Sequence, residues 1–368
     1  MERIASKTIA FNGKFFGAGP TGVHKVAEQL IAATDALIAG QAANGMDYAV
    51  VAREGVQVPS YRHISCVRES RWARRMHKIV WEQFYLPVAG RKDFILNLCN
   101  LGPLLHRNSA TLIHDAQVYS APESYSLSFR LWYKFLFFFI GKRHRIIFTV
   151  SEYSKSELVR YGVARADKIV VVHNGCDHVL QIRPDDRQIA VLDLEPRRYV
   201  VALANTQKHK NIGMLLKAFS GEQLRNVQLV LFGGATREDF ERLGHAVPPN
   251  VRFTGRITDA ELVGLLANAG ALAFPSLTEG FGLPPLEAMA LGCPVVAAPL
   301  GALPEVCGKA ALYADPLSPD AWRLNILAVL DDEAVRQSLI CAGHRQASSF
   351  TWKRAARDLC ETVKAVNG

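Results

Sequence analysis

A chain of 368 residues is long for one ordinary domain and comfortable for two, and 49% hydrophobic residues is the composition of a packed globular protein with a sizeable core. Its seven cysteines are odd in number, scattered and without a Cys-x-x-Cys pair, which argues against a disulfide framework or zinc site and for a reducing, cytoplasmic compartment. The net charge of +9 belongs to the first half, where residues 1–183 carry 24 Lys and Arg against 14 Asp and Glu, while residues 184–368 carry 19 against 20.

Such an imbalance speaks of partners: an anionic membrane surface, a phosphate-bearing substrate, or no more than solubility. Nucleic acid is disfavoured, because no zinc-finger or RNP-type pattern accompanies the basic residues. The opening MERIASKTIAFNGKFF holds no apolar run of signal-peptide length.

Short β-branched runs alternate with helical patterns along the chain. In the first half TIAFNGKFF, DYAVVAR, FILNL, ATLIHD, RIIFTVS and KIVVVHNG read as buried strands, with stretches such as GVHKVAEQLIAATDALIAG between them. That alternation predicts a parallel sheet with helices on both faces. After HNG at 173–175 a polar stretch to Arg198 reads as a passage between domains. The alternation then restarts with YVVALAN, VQLVLFG, NVRFTG, ALAFPS, PVVAAP and AALYAD, and the chain ends in helical pattern. The expectation is an α/β protein of two Rossmann-like, doubly wound domains, 1–180 and 181–368, facing a central cleft that holds the active site.

Several stretches carry chemistry, taken in order. FFGAGPTG joins the first strand to the first helix, and Gly17, Gly19 and Gly22 have G-x-G-x-x-G spacing. A dinucleotide site is therefore one reading, although Arg53, not an acidic residue, ends the second strand. ATLIHDAQ places His114 and Asp115 at a strand end, a position open to a structural or a catalytic role. RLWYKFLFFFIGKRHR, residues 130–145, has an apolar run too short to span a bilayer, flanked by basic groups. It reads equally as a helix lying on an anionic membrane, with RESRWARRMHK at 68–78 adding to the same basic face, or as a core helix capped by solvated charges. In TVSEYSKSELV, Ser154 and Glu157 have capping-box spacing. NTQKHKNIGMLLKAF sets Lys210 just ahead of a helix, as an exposed helix-start lysine or a cation for phosphate.

FPSLTEGFGLPPLEAMALGCPVVAAP brackets a glycine-rich turn with Glu279 and Glu287. Pro284 and Pro285 suit a helix start, and a helix N-terminus favours phosphate. Carboxylates on either side of that turn suit vicinal hydroxyls, so the string fits a molecule with sugars on both sides of a pyrophosphate, a nucleotide sugar.

This segment, continuing through GCPVVAAPLGALPEVCGKAALYADPLSPDAW, resembles the E-x7-E signature of the retaining nucleotide-sugar glycosyltransferases of family 4, which have the two-domain GT-B fold. The resemblance implies that Glu279 binds the donor sugar, that the Gly280, Phe281, Gly282 and Leu283 backbone meets sugar and diphosphate, and that Glu287 holds the ribose. It implies a diphosphate role for Lys210, a donor-facing backbone at Gly19 and Gly22, and a place near the reacting sugar for His114, beside Asp115. The arginine that many members carry shortly before the lysine is absent here, where Ala204 and Asn205 stand.

With no Asp-x-Asp and no His-x-x-x-His, neither a metal nor a cofactor is expected, the nucleotide sugar being a substrate. The EGFGLPPLEAM form and the HD segment most resemble bacterial members that transfer mannose from GDP-mannose, with a glycan or polyprenol-linked acceptor in surface polysaccharide assembly. The resemblance implies front-face transfer with retention, and peripheral attachment to the inner face of the cytoplasmic membrane. Two rivals stay open: a non-catalytic nucleotide-sugar-binding protein and an NAD-dependent oxidoreductase.

Overall fold

The computed structural model describes residues 7–19, 21–40, 46–91 and 93–367. The leader-free reading of the first residues and Pro20 of the glycine-rich turn fall outside them. Two compact units result, one formed by the described residues up to 119, by 126–175 and from 352 on, the other by 120–125 and 176–351.

The first unit is built on a seven-stranded sheet: β1 (Lys7–Asn12), β2 (Met46–Ala52), β3 (Ser65–Arg68), β4 (Phe94–Asn97), β5 (Ser109–Leu112), β6 (Ile146–Thr149) and β7 (Ile169–Val171), in the order β3-β2-β1-β4-β5-β6-β7. All its pairings are parallel. Strands β4, β5 and β6 are buried along their whole length, as a parallel sheet covered on both faces requires. Strand β3 was not expected: SCVR is short and wholly exposed, so neither periodicity nor an apolar run marks it, and it pairs only as an edge beside β2.

The second unit has β8 (Tyr199–Leu203), β9 (Gln228–Phe232), β10 (Val251–Gly255), β11 (Ala271–Phe274), β12 (Val295–Ala297) and β13 (Ala311–Tyr313), in the order β10-β9-β8-β11-β12-β13 and again all parallel. Its core joins Val200, Leu229, Leu231 and Val296 of the sheet to Leu215 and Phe219 of the helix Ile212–Phe219. In both sheets the strand order reverses once, between β1 and β4 and between β8 and β11. Loops leaving the carboxyl ends of such a pair diverge and open a crevice, the usual ligand position in this architecture.

The units divide otherwise than at a single boundary after residue 180. Segment 120–125 belongs with the second unit and the last helix, Trp352–Asn367, with the first. The reason for the latter is apolar spacing: Ala355, Ala356, Leu359 and Val363 are buried, and the helix packs on Gly22–Ala39, with Cys360 Sγ 4.0 Å from Thr34 Oγ1. The predicted capping box also differs. The helix Glu152–Arg160 starts one turn earlier, with Ser151 accepting from Ser154 N–H, while Ser154 Oγ donates to the His114 carbonyl and Glu157 pairs with Arg160.

Candidate active site

In the second unit, two loops flank the strand-order reversal. After β8 the chain makes a single turn at Lys208–Lys210, passes Asn211 at φ 55° and enters the helix Ile212–Phe219. After β11 it runs through Pro275–Phe281 to Gly282, at φ 103°, and enters the helix Leu283–Ala290 with prolines in its first turn. The two loops are stitched together, because Leu277 N–H donates to the His209 carbonyl at 2.7 Å.

Lys210 Nζ reaches Glu279 Oε1 at 2.7 Å, and the two side chains are 15% and 10% exposed. The Glu279 backbone is held from behind as well. Ala302 N–H donates to the Glu279 carbonyl, and Gly301, at φ 65°, lies so close that a Cβ there would stand 2.6 Å from Glu279 N. Gly282 likewise adopts a left-handed conformation that a side chain resists, and its added Cβ would meet Leu303. The turn thus presents backbone, an ammonium and a carboxylate in front of a helix N-terminus, where N–H groups and the helix dipole favour anionic oxygen.

Glu287 lies on the second turn of that helix, buried, with its Oε1 3.1 Å from Nε2 of His178. His178 sits on the 3₁₀ turn Asp177–Gln181, within the stretch that the sequence reading treated as a passage between domains. Phe281 is buried against Phe350, ring centroids 5.8 Å apart at 76°. His209, next to Lys210, is buried and bonds Ser124 Oγ through Nδ1 at 2.8 Å. Burial and the neighbouring Lys210 charge push its pKa down to about 4, so it adds no positive charge near neutrality. Lys210 and Glu279 are brought together as a pair, with Gly280, Phe281, Gly282, Leu283 and Glu287 around the same helix start. The surface beside this turn also holds a cavity of about 810 Å³, between Asn205–Lys208 and His245.

The first unit carries the remaining predicted residues. Gly19 lies in an open turn, where an added Cβ would touch nothing, and Gly22 opens the first helix behind the Thr21 cap. His24 Nδ1 stands 2.9 Å from the Gly19 carbonyl. Burial is the largest influence on His114 and pushes its pKa down to about 4. Its Nε2 stands 2.9 Å from the Leu98 carbonyl, which can only accept, so Nδ1 carries the lone pair of a neutral ring. Asp115 Oδ1 accepts from Gln117 N–H, a local turn contact. At the carboxyl end of β1, Asn12 bonds Glu82 and Asn97, and Lys14 Nζ meets Glu82 at 2.6 Å, a satisfied buried network.

The helix Leu127–Arg143 shows two apolar faces. Leu136, Phe137 and Ile140 are buried, whereas Leu127 is 65% exposed and Leu131 60%, with Trp132, Phe135 and Phe138 also exposed. Lys142 lies over the Phe138 ring at 4.0 Å. Among the described residues no helix is long and apolar enough to cross a membrane.

Sequence reasoning missed His178, Gly301 and the docking of segment 120–125. Gly301 was within reach, because PLGALPE belongs to the stretch that carried the resemblance; nothing in HNGCDHVL marks the partner of His178.

Comparison with known proteins gives the family and the fold. Residues 184–346 match the family Glycosyl transferases group 1. The chain is 31% identical over 339 residues to O-antigen chain mannosyltransferase B of Escherichia coli, across 87% of this chain and 83% of that relative. Sucrose-phosphate synthase from Thermosynechococcus elongatus is similar in structure with a TM-score of 0.76 at 20% identity, covering 98% of this chain and 99% of that one. Anabaena Alr3699/HepE in complex with UDP-glucose gives 0.70 at 16%, with coverage of 98% and 99%. The chain therefore belongs to the glycosyl transferases group 1 family, and it is a glycosyltransferase with two Rossmann-like units of the GT-B type.

Proposed function

We propose that this glycosyltransferase moves mannose from GDP-mannose, with retention of configuration, onto a glycan or polyprenol-linked acceptor in surface polysaccharide assembly. The observation that carries the reading is the Lys210–Glu279 pair at the glycine turn ahead of the helix Leu283–Ala290. The choice of mannose is supported by the O-antigen mannosyltransferase relative.

The donor diphosphate takes the Lys210 ammonium and the helix N-terminus, Glu279 accepts hydroxyls of the sugar, and Glu287 accepts those of the ribose. The acceptor oxygen bonds to the anomeric carbon as the bond from that carbon to the diphosphate oxygen breaks on the same face. The acceptor proton passes to a departing phosphate oxygen, and the nucleoside diphosphate leaves with its negative charge met by Lys210. Positive charge thus comes from side chain and backbone, and transfer proceeds without a divalent metal. His114, neutral and buried, offers a hydrogen-bonding nitrogen to the reacting sugar with Asp115 beside it, and the open space at Gly19 and at Gly22 admits donor backbone contacts.

The same enzyme binds the cytoplasmic face of an anionic membrane through the helix Leu127–Arg143, whose exposed aromatic residues and last-turn Lys142 and Arg143 match an interfacial helix. That placement gives access to a lipid-linked acceptor.

The test uses purified protein in EDTA with GDP-mannose, UDP-glucose, UDP-galactose, ADP-glucose and NAD, on wild type and Glu287→Ala. Binding of GDP-mannose that is lost in the variant, followed by acceptor-dependent release of GDP and a product with the donor's anomeric configuration, is expected. Binding of NAD alone, unchanged by the substitution, would overturn the proposal; donor binding without any transfer would leave a binding protein.

A further inference from the structure

In the second unit the carboxyl ends of β8, β9 and β10 are knit into one floor. Ala204 N–H donates to the Phe232 carbonyl at 2.7 Å, and Gly233 N–H donates to the Gly255 carbonyl at 2.9 Å. Gly233 takes φ 133°, and a Cβ there would stand 2.8 Å from the Ala204 carbonyl oxygen, so this floor must be bare backbone. Arg256 lies across it. A Cβ added at Gly234 would stand 3.3 Å from Arg256 Nη2, 3.4 Å from Nε and 3.5 Å from Cζ, nearly equal distances that set one face of the guanidinium on the glycine. Neighbouring arginines are tied to the protein: Arg237 donates to the Val247 carbonyl, Arg252 to the Pro249 carbonyl, and Arg242 pairs with Asp239. Arg256 is exposed and, among the described residues, has no hydrogen-bond or ion-pair partner. It is laid in place with its donors unused.

Arg256 follows β10 and Lys210 follows β8, two strands away in the same parallel sheet and at the same end of it. Neighbouring strands are about 4.8 Å apart, which separates the two loops by about 10 Å, a span that a nucleoside diphosphate covers between its phosphates and its base. We propose that Arg256 selects the base of the donor, reading guanine through two parallel N–H donors. The inference rests on the nucleotide-sugar reading above and names the residue that favours GDP. A guanidinium offers donors only, in a fixed planar fork. Guanine sets two acceptors, O6 and N7, side by side on one edge, whereas adenine puts a donating amino group where O6 would be. In uracil the N3–H donor stands between the two carbonyls. The fork therefore fits guanine with both bonds and the other two bases with one at most.

The experiment is calorimetric binding of GDP, IDP, 7-deaza-GDP, ADP and UDP, in EDTA, to wild type, Arg256→Ala and Arg256→Lys. IDP keeps O6 and N7 and lacks only the 2-amino group, while 7-deaza-GDP lacks N7. Wild type is expected to bind GDP and IDP alike, both roughly tenfold or more tighter than ADP and UDP, the discrimination that a bidentate pair carries, with 7-deaza-GDP in between. Arg256→Ala is expected to bring GDP and IDP to the ADP and UDP level while those two are unchanged. Arg256→Lys, a point charge without the fork, is expected to recover little of the preference. Equal weakening of all five ligands in Arg256→Ala would make Arg256 a phosphate contact and overturn the inference. So would a GDP preference that survives the substitution, or 7-deaza-GDP bound as tightly as GDP. A wild-type preference for UDP or ADP would overturn the inference together with guanine as the donor base, and leave the nucleotide-sugar reading standing. Absence of any nucleotide binding by wild type would overturn that reading itself.

Discussion

Lys210 and Glu279 are 69 residues apart in the chain and 2.7 Å apart in space. Each lies beyond the carboxyl end of one of the two neighbouring strands, β8 and β11, at which the strand order reverses. Topology thus delivers a cation and a carboxylate to one point, and the glycine turn leaves room there for a ligand.

Removing the cation separates catalysis from stability. Lys210→Met is expected to lower kcat by about a hundredfold or more, the usual cost of a lost charge-stabilising donor. It also leaves the Glu279 carboxylate, 10% exposed, without this partner, so Tm falls. Adding Glu279→Gln restores Tm but not transfer. Initial rates in EDTA and thermal melts of wild type and these two variants check this.

Gly301→Ala tests the support behind Glu279. The new Cβ would meet Glu279 N at 2.6 Å, from a residue at φ 65° where any side chain costs about 1 kcal/mol or more. Nucleotide affinity is expected to drop by roughly tenfold, while far-ultraviolet circular dichroism stays that of wild type. An unchanged Kd would show that the carboxylate does not depend on this close approach.

Acid stability follows from His114, His144 and His209, each with a pKa pushed down to about 4 chiefly by burial. Between about 4 and the ordinary value of 6.5 the unfolded chain binds protons that the folded chain does not, so stability is complete above 6.5 and is lost as pH falls toward 4. His114 and His144 each contribute a slope of up to about 1.4 kcal/mol per pH unit in that window. His144, bonded to Thr111 Oγ1 and the Pro103 carbonyl, has no place in the proposed chemistry. His144→Gln should flatten the dependence, as read from urea unfolding at pH 5 and pH 7.

The exposed face of Leu127–Arg143 predicts vesicle binding that depends on both charge and aromatic area. Wild type should float with vesicles containing phosphatidylglycerol and not with neutral ones, less so as salt rises. The triple variant Trp132→Ser, Phe135→Ser, Phe138→Ser should stay behind with its fold intact, since all three side chains are exposed. Equal flotation of wild type and variant would remove this face from the membrane proposal.

What the sequence determined by itself is the architecture and the donor motif. Strand and helix alternate with the right lengths, so the parallel α/β units were legible from apolar runs alone. The string from Phe274 to Pro299 announces its loop and helix through glycine and proline positions that act locally on the backbone. Tertiary structure alone decided the rest, because it depends on contacts between distant residues. It paired Lys210 with Glu279, set His178 against Glu287, and placed Gly301 behind the glutamate backbone. It also sent the last helix to the first unit, where its apolar face meets Gly22–Ala39. The apolar run of Leu127–Arg143 was ambiguous in sequence for a related reason: a helix apolar all round has no periodicity to say which face is core. Only the packing of Leu136, Phe137 and Ile140 against the sheet leaves Leu131, Phe135 and Phe138 on the outside.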